Sequence, residues 1–595
     1  MAKNSIRQDE YVKTRSNGEI IIKLMSYLKD FKLKVFVVIM LMIGAMLCSL
    51  LNPYLLKIAI DKYIMSKDLH GLLMIGTIMV LLNLLAMVAS RIRIVLMASV
   101  TNKILLNIRH ELYSHIQTLS LQFFDSRPVG KILARVMGDV NSLQDLFTNS
   151  VTSFIPEILT LICVSCIMFY MNFNLALSSI TLLPLLTLGL FLIETVSRKR
   201  WQIYRQKRSN LNAFTHEDFS GVKVIQSFTS EENKARTFGD MVGSLIKSFI
   251  SAVRLNDLFW PMVELSWGLG TIIVFASGIK MIGTGTITVG TLVAFTWYIE
   301  MFWRPIMNIT NFYNVLITNF AAAERIFDIL DIKPNIFSIR GAAKMPKIKG
   351  YLEFKNVTFG YEDGSVVLDN ISFKVNPGET IALVGPTGAG KTTIVNLISR
   401  FFDVQSGEVL IDGKNVKDVE LESLRSQMGI MLQDTFLFST TIMENIRYGR
   451  LDATDEEVIQ AAKAVNANEF IMKLKDGYNT KVNERGSRLS VGQRQLISFA
   501  RALLANPRIL ILDEATSNID TLTEKLVQNG IKTILHGRTS FVIAHRLSTI
   551  RDCDRIMVID NGKITEVGSH GELMRLKGLY YKLYMSQYKF LNEGA

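Results

Sequence analysis

Cysteine is nearly missing from this chain: Cys48, Cys163, Cys166 and Cys553 are the only four in 595 residues. So few thiols exclude a disulfide framework, no grouping of cysteine with histidine has zinc-site spacing, and reduced thiols are expected. Cys163 and Cys166 form a CxxC, but inside an apolar run and without a thioredoxin-like setting they read as small fillers with no redox role. Charge is scarce as well, with 20% Asp, Glu, Lys and Arg against 49% hydrophobic residues and a mean hydropathy of +0.27. A chain this apolar is neither disordered nor a purely soluble protein.

Acidic residues are the scarcer sign. Lys and Arg number 66 against 53 Asp and Glu, and the imbalance is concentrated before residue 330, where 32 basic residues face 22 acidic ones. A basic excess serves nucleic acid or a membrane surface; here it flanks apolar spans, which favours the membrane and no nucleic-acid partner. Trp201, Trp260, Trp267, Trp297 and Trp303, all of the tryptophans, lie in the same half. At roughly 150 residues per domain the length allows about four domains, but the contrast between halves implies two unlike ones.

A bilayer core takes about 20 apolar residues per helix. Six stretches qualify, near Val35 to Ala59, Leu72 to Ser90, Val151 to Met171, Leu175 to Val196, Leu258 to Ile279 and Val289 to Ile317. The first is no cleaved signal, because a highly charged segment precedes it and no small-residue cleavage pattern closes it. Links alternate between short (60–71, 172–174, 280–288) and long, Lys- and Arg-rich (91–150, 197–257). The positive-inside rule puts the long links and both termini in the cytoplasm. Thr101 to Leu121 and Gln206 to Phe214 have few helix breakers, so the membrane helices should continue into water. Within the spans Glu157, Glu264, Glu300 and Arg304 are costly in hydrocarbon and should face protein or a watery cavity, Glu264 being the first choice for substrate contact. Glu300 and Arg304, four apart, could instead pair with each other.

Beyond about residue 350 the pattern becomes short β-rich runs broken by Gly and Asp, alternating later with helical stretches, which is an α/β pattern. The strand Thr380 to Val384 runs into Gly385, Pro386, Thr387, Gly388, Ala389, Gly390, Lys391 and Thr392, a GxxxxGK[ST] loop, followed by the helical run Thr393 to Phe401. Backbone N–H groups of such a loop can surround phosphate oxygens only where side chains do not intrude. Lys391 then places a charge on the β and γ phosphates and the Thr392 hydroxyl ligates Mg²⁺. A second apolar strand, Ile509 to Leu512, ends in Asp513 and Glu514. Asp513 would be delivered to the outer coordination sphere of the metal, and Glu514 would polarise the attacking water as general base.

Between these lie Leu489-Ser490-Val491-Gly492-Gln493, and after them Ser517-Asn518-Ile519-Asp520 and Ile543-Ala544-His545-Arg546. With this ordered set the chain resembles a half-transporter of the ATP-binding cassette (ABC) family, exporter type, along nearly its whole length. The resemblance implies a multidomain fold: an all-α six-helix transmembrane domain over 35–330, after a cytoplasmic segment 1–34, and a linker 331–350 leading to an α/β P-loop ABC ATPase domain over 351–595. It makes Tyr361 the aromatic stacking on adenine, Gln433 the Mg²⁺-sensing glutamine and His545 the switch histidine at the γ-phosphate. Ser490, Gly492 and Gln493 become signature groups closing over ATP held by another chain, and Asp520 part of the loop linking the two sites. The ATP-binding set then runs from Gly385 through Thr393, with catalysis by Glu514, His545, Lys391 and Gln433 and metal contact by Thr392, Gln433 and Asp513. Phe123 to Gly130 and Glu217 to Phe228 would be the coupling elements.

Two features depart from the family pattern. Val491 stands where LSGGQ has its first Gly, and a β-branched residue restricts backbone approach that Gly permits. Asn518-Ile519 replaces the common Ala-Leu, while Glu514 and His545 are intact. An intact catalytic strand with an altered signature resembles one subunit of the heterodimeric exporters, the rival being a homodimer that tolerates Val491. The implied function is ATP-driven export of an amphipathic or hydrophobic small substrate such as a drug, lipid or peptide. An importer built on the exporter fold and an ATP-gated channel or regulator are the alternatives; a soluble ABC ATPase would need no spans.

Overall fold

The computed structural model describes residues 15–149, 154–181, 183–339, 341–361, 364–431, 435–483, 486, 488–514, 521–544 and 547–593. Gln433, His545, Asp520, Asn518 and Ile519 therefore lie outside the described residues. Among the described residues the chain divides into two compact units, one comprising 15–116 with 128–331, the other 117–127 with the residues from Ile332 onward.

The first unit is helical: α1 (Asn17–Leu28), α2 (Lys32–Ile58), α3 (Leu69–Thr118), α4 (Ile155–Met171), α5 (Phe173–Ile180), α6 (Leu183–Ser220), α7 (Glu231–Asn256), α8 (Phe259–Gly283) and α9 (Val289–Leu330) are its principal elements. At 1.5 Å per residue α3 is about 75 Å long, more than twice a hydrocarbon core of about 30 Å. Its pattern changes accordingly. Leu73, Met74, Leu81, Leu84, Leu85 and Val88 are exposed, as suits lipid. Further along, Met97, Val100, Ile104, Ile108, Leu112 and Ile116 form a buried stripe at helical spacing, as suits packing in water. The membrane helices do extend beyond the spans, α6 to Ser220 and α9 to Leu330.

Among the described residues three helices are long and apolar enough to cross a membrane, Asn17–Ile64, Leu69–Thr118 and Pro261–Gly283, with Ile155–Met171 a shorter apolar helix. The stretch read as one span from Leu175 to Val196 is shared between α5 and α6. The helices meet in a core of Leu50, Val164, Met168, Leu175, Val274, Phe295, Ile299 and Phe302. Tyr298 donates its buried hydroxyl to the Leu50 carbonyl at 2.8 Å, joining α9 to α2 without an unsatisfied polar group.

A second tie uses charge. Asp139, only 8% exposed, accepts from Arg135 at 3.0 Å and from both Nε and Nη2 of Arg325 at 2.9 and 2.5 Å. Removing the carboxylate takes a charged partner from two partly exposed guanidiniums, so Asp139→Ala is expected to cost about 1 to 3 kcal/mol and to lower the melting temperature of the detergent-solubilised chain. A wild-type melting curve would show that the cluster contributes nothing.

In the second unit two sheets form, one antiparallel and one mostly parallel. β1 (Leu352–Gly360), β2 (Val366–Val375), β4 (Ser406–Ile411) and β5 (Lys414–Asn415) make the antiparallel sheet in the order β2-β1-β4-β5. The other has the order β10-β9-β3-β8-β7-β6, with β3 (Thr380–Val384), β6 (Met428–Met431), β7 (Ile509–Glu514), β8 (Thr539–Ala544), β9 (Arg555–Asp560) and β10 (Lys563–Gly568). The five strands β9, β3, β8, β7 and β6 are parallel and β10 is antiparallel to β9. Apolar residues occupy both faces of these strands, as burial on both sides demands. Ala382, Leu510, Leu512 and Val542 enter one core, and Ile381, Leu383, Ile509, Ile511, Phe541 and Ile543 the other.

Candidate functional site

Because β3, β8 and β7 are parallel neighbours in register, their carboxyl ends reach one edge. Leu383 pairs with Ile543, Asp513 with Ile543 and Glu514 with Ala544. The loop after β3 and the acids closing β7 thus emerge side by side, at the edge where open parallel sheets bind ligands. His545 follows Ala544 directly in sequence.

The loop geometry demands its glycines. Gly385, Gly388 and Gly390 have φ of +157°, +84° and +106°. A Cβ on Gly385 would meet the Ile559 carbonyl at 2.0 Å, and one on Gly390 the Leu368 side chain at 2.6 Å. Without side chains at these positions the loop lies directly against Ile559 of β9 and Leu368 of β2, and backbone amides of such a loop are what can surround phosphate oxygens. Helix α10 (Lys391–Ile398) begins at Gly390 with no side-chain cap, so its first N–H groups remain for an anion. The helix stops at Ile398, short of the predicted Phe401, and Arg400 turns left-handed at φ +50°.

Lys391 folds back over this loop. Its ammonium donates to the carbonyls of Gly385 and Pro386, both at 2.8 Å. Burial pushes it below the ordinary lysine value, partly opposed by the Asp513 carboxylate. Thr392 is exposed on the first turn. A hydroxyl and a carboxylate oxygen flanking a phosphate cradle are the hard donors that Mg²⁺ takes, so the residues present fit the metal.

Tyr361 packs edge-on against Phe359 and Phe402, with ring centroids 5.1 and 5.4 Å away. Its hydroxyl is 3.2 Å from that of buried Thr393. Beside it lies a cavity of 260 Å³ lined in part by Phe401, Phe402 and Gln405.

The signature segment is a helix N-terminus. Ser490 caps α11 (Val491–Ala505) through a capping box: its hydroxyl accepts from the Gln493 amide at 3.2 Å, and the Gln493 side chain accepts from the Ser490 amide at 3.0 Å. Gly492 is buried and Val491 is 39% exposed. Val491 is helical, so position 491 does not call on the left-handed freedom of glycine. What Val491 adds is an isopropyl group at the mouth of the helix, where glycine would leave the backbone open to approach.

The polar residues of the spans are not gathered as a set. Among the described residues no ion pair joins Glu300 to Arg304, and Glu157 accepts from Asn308 Nδ2 at 2.6 Å. Arg93, which lies beyond the second predicted span, was not singled out from sequence; its place on the same helical face as Ser90 and Met87 was the available signal.

A phosphate-binding loop at the edge of a parallel sheet, in one chain with a bundle of apolar helices, defines a membrane-bound P-loop ATPase. The sequence matches the family model for the ABC transporter transmembrane region over residues 35–306 and that described as ABC transporter over 368–517. It is 43% identical to YknV, an uncharacterized ABC transporter ATP-binding protein of Bacillus subtilis, over 98% of this chain and 96% of that one. It is 38% identical to an ATP-dependent lipid A-core flippase of Syntrophus aciditrophicus, over 93% of this chain and 91% of that one. A bacterial Atm1-family ABC exporter solved with ATP bound superposes with a TM-score of 0.76 at 28% identity, covering 93% of this chain and 98% of that one. The chain belongs to the ABC transporter family, as a half-transporter of exporter type. It is a multi-pass membrane protein that binds and hydrolyses ATP to drive export, and such halves work as dimers.

Proposed function

We propose that this chain exports an amphipathic or hydrophobic compound across the plasma membrane, with both termini in the cytoplasm and with Mg²⁺ at its ATP site. The observation that carries the reading is the uncapped helix behind a glycine cradle, in one chain with apolar helices that run far beyond a bilayer. The relative named as a lipid A-core flippase supports a lipid-like substrate. Lys391 holds the β and γ phosphates, Thr392 and Gln433 hold the metal with Asp513 in its outer sphere, Tyr361 stacks on adenine, and His545 contacts the γ-phosphate. Glu514 takes the proton of the attacking water. Ser490, Gly492 and Gln493 close over ATP bound to a second subunit. When bound, Mg²⁺ neutralises charge on the phosphates during transfer.

ATP held between two ATPase domains adds contacts only in the closed dimer, and that differential affinity biases the membrane helices toward release. Inside-out vesicles should accumulate a lipophilic dye only with ATP, and vanadate should stop it; uptake indifferent to nucleotide rejects the reading. The second subunit is a different chain, with Val491 completing the slower of two sites. Val491→Gly should then raise turnover of the paired assembly several-fold, whereas the chain purified alone should hydrolyse ATP slowly. Turnover at ordinary family rates without a partner rejects the heterodimer.

A further inference from the structure

The membrane unit contains a cavity of 490 Å³ whose wall is built from one face each of α2, α3, α4 and α9. Two cations enter it, Arg93 from α3 and Arg304 from α9, with the single carboxylate of Glu157. Arg93 Nε is buried and has no hydrogen-bond partner. Among the described residues no carboxylate lies within 4.0 Å of either guanidinium, and Glu157 is already engaged by Asn308. Arg93 is partly buried, its Nε fully so, while Arg304 is exposed; two cations without a carboxylate partner converging on one cavity between membrane helices are costly until an anion joins them. Guanidinium groups match carboxylate and phosphate oxygens in a planar, two-pronged geometry. The rest of the wall includes Met46, Met87 and Met301, flexible side chains that adapt to hydrocarbon of irregular shape.

From this we infer that the cavity binds the headgroup of the exported compound, and that the compound is an amphiphile with an anionic headgroup, a carboxylate or a phosphate ester, set between Arg93 and Arg304. The inference rests on the export reading and narrows its substrate class. The Glu264 side chain, the first choice from sequence, is exposed and is not part of this wall.

The test is equilibrium binding to the full-length chain in phosphatidylcholine nanodiscs, with three radiolabelled probes of equal chain length: laurate, dodecyl phosphate and dodecyltrimethylammonium. At least one anionic probe should bind about tenfold or more tighter than the cation, and the stronger of the two tells carboxylate from phosphate. Arg93→Gln and Arg304→Gln should each weaken that anion about tenfold while leaving the cation bound, and Arg93→Lys and Arg304→Lys should restore much of the loss. Retained cation binding certifies that the Gln variants are folded. If a variant loses all three probes, the ratio of anion to cation affinity in the unaltered chain decides alone. Equal affinity for anion and cation, or undiminished anion binding in both folded Gln variants, overturns the proposal. Neither outcome touches the export reading, which falls only if vesicle uptake ignores ATP.

Discussion

Glu514→Gln is expected to bind ATP nearly as well as the unaltered chain and to hydrolyse it some 10²- to 10⁴-fold more slowly, the range that a positioned general base contributes. The strand explains why so small a change should matter. β7 delivers Asp513 and Glu514 at the carboxyl edge of the parallel sheet, in register with the end of β8 and next to the loop that follows β3. Gln preserves shape and hydrogen bonding but cannot accept the proton of an attacking water. Binding draws instead on the loop amides, the first turn of α10 and Lys391, none of which the substitution touches. Because ATP would bind without being consumed, the assembly should also accumulate in its nucleotide-closed form, where the differential affinity that drives the conformational change is not released. Phosphate release and binding of a fluorescent ATP analogue, measured on one preparation, check both halves. Turnover within tenfold of the unaltered chain would remove Glu514 from the role of base.

What the sequence made readable was mostly what is local. The phosphate loop needs a strand, glycines at fixed spacing, a lysine and a helix, all within about twenty residues, and each constraint acts through the backbone. The strands of the parallel sheet announced themselves because both faces are buried, so that Ile509 to Leu512 is one unbroken apolar run. The continuation of α3 past the membrane was legible from its lack of breakers. Less was visible where several helices must meet. Glu300 and Arg304 have ideal spacing for an ion pair on one helix, yet the structure turns Arg304 into a cavity shared with Arg93 instead. No pattern along a single helix specifies that convergence, since it depends on how α2, α3, α4 and α9 pack. Val491 is the first residue of α11, with ordinary helical backbone and an exposed side chain, so its effect on approach to the helix mouth comes from its isopropyl group, a feature visible in the sequence.

Lys391→Ala is expected to weaken ATP binding itself, by about 10- to 100-fold, the equivalent of losing one charge-assisted hydrogen bond of about 1.5 to 3 kcal/mol. The present partners of Lys391 make the direction firm. Its ammonium rests on the neutral carbonyls of Gly385 and Pro386 at 2.8 Å, and burial has already cost it part of its hydration, which is why its pKa is pushed below 10.5. Phosphate oxygens replace those carbonyls with formal negative charge in a poorly hydrated setting, so the exchange favours ATP. The same depression sets the sign of a pH effect. ATP prefers the protonated amine, so binding takes up protons once the pH exceeds the lowered pKa of the free site, and affinity should fall with rising pH earlier than an ordinary lysine would allow. In Lys391→Ala that alkaline decline should flatten. Competition titrations against a fluorescent nucleotide across the alkaline range measure both effects at once. An affinity unchanged by the substitution would place the phosphate-binding energy in the loop amides alone, and an alanine variant with the same alkaline slope would assign the pH effect to another group.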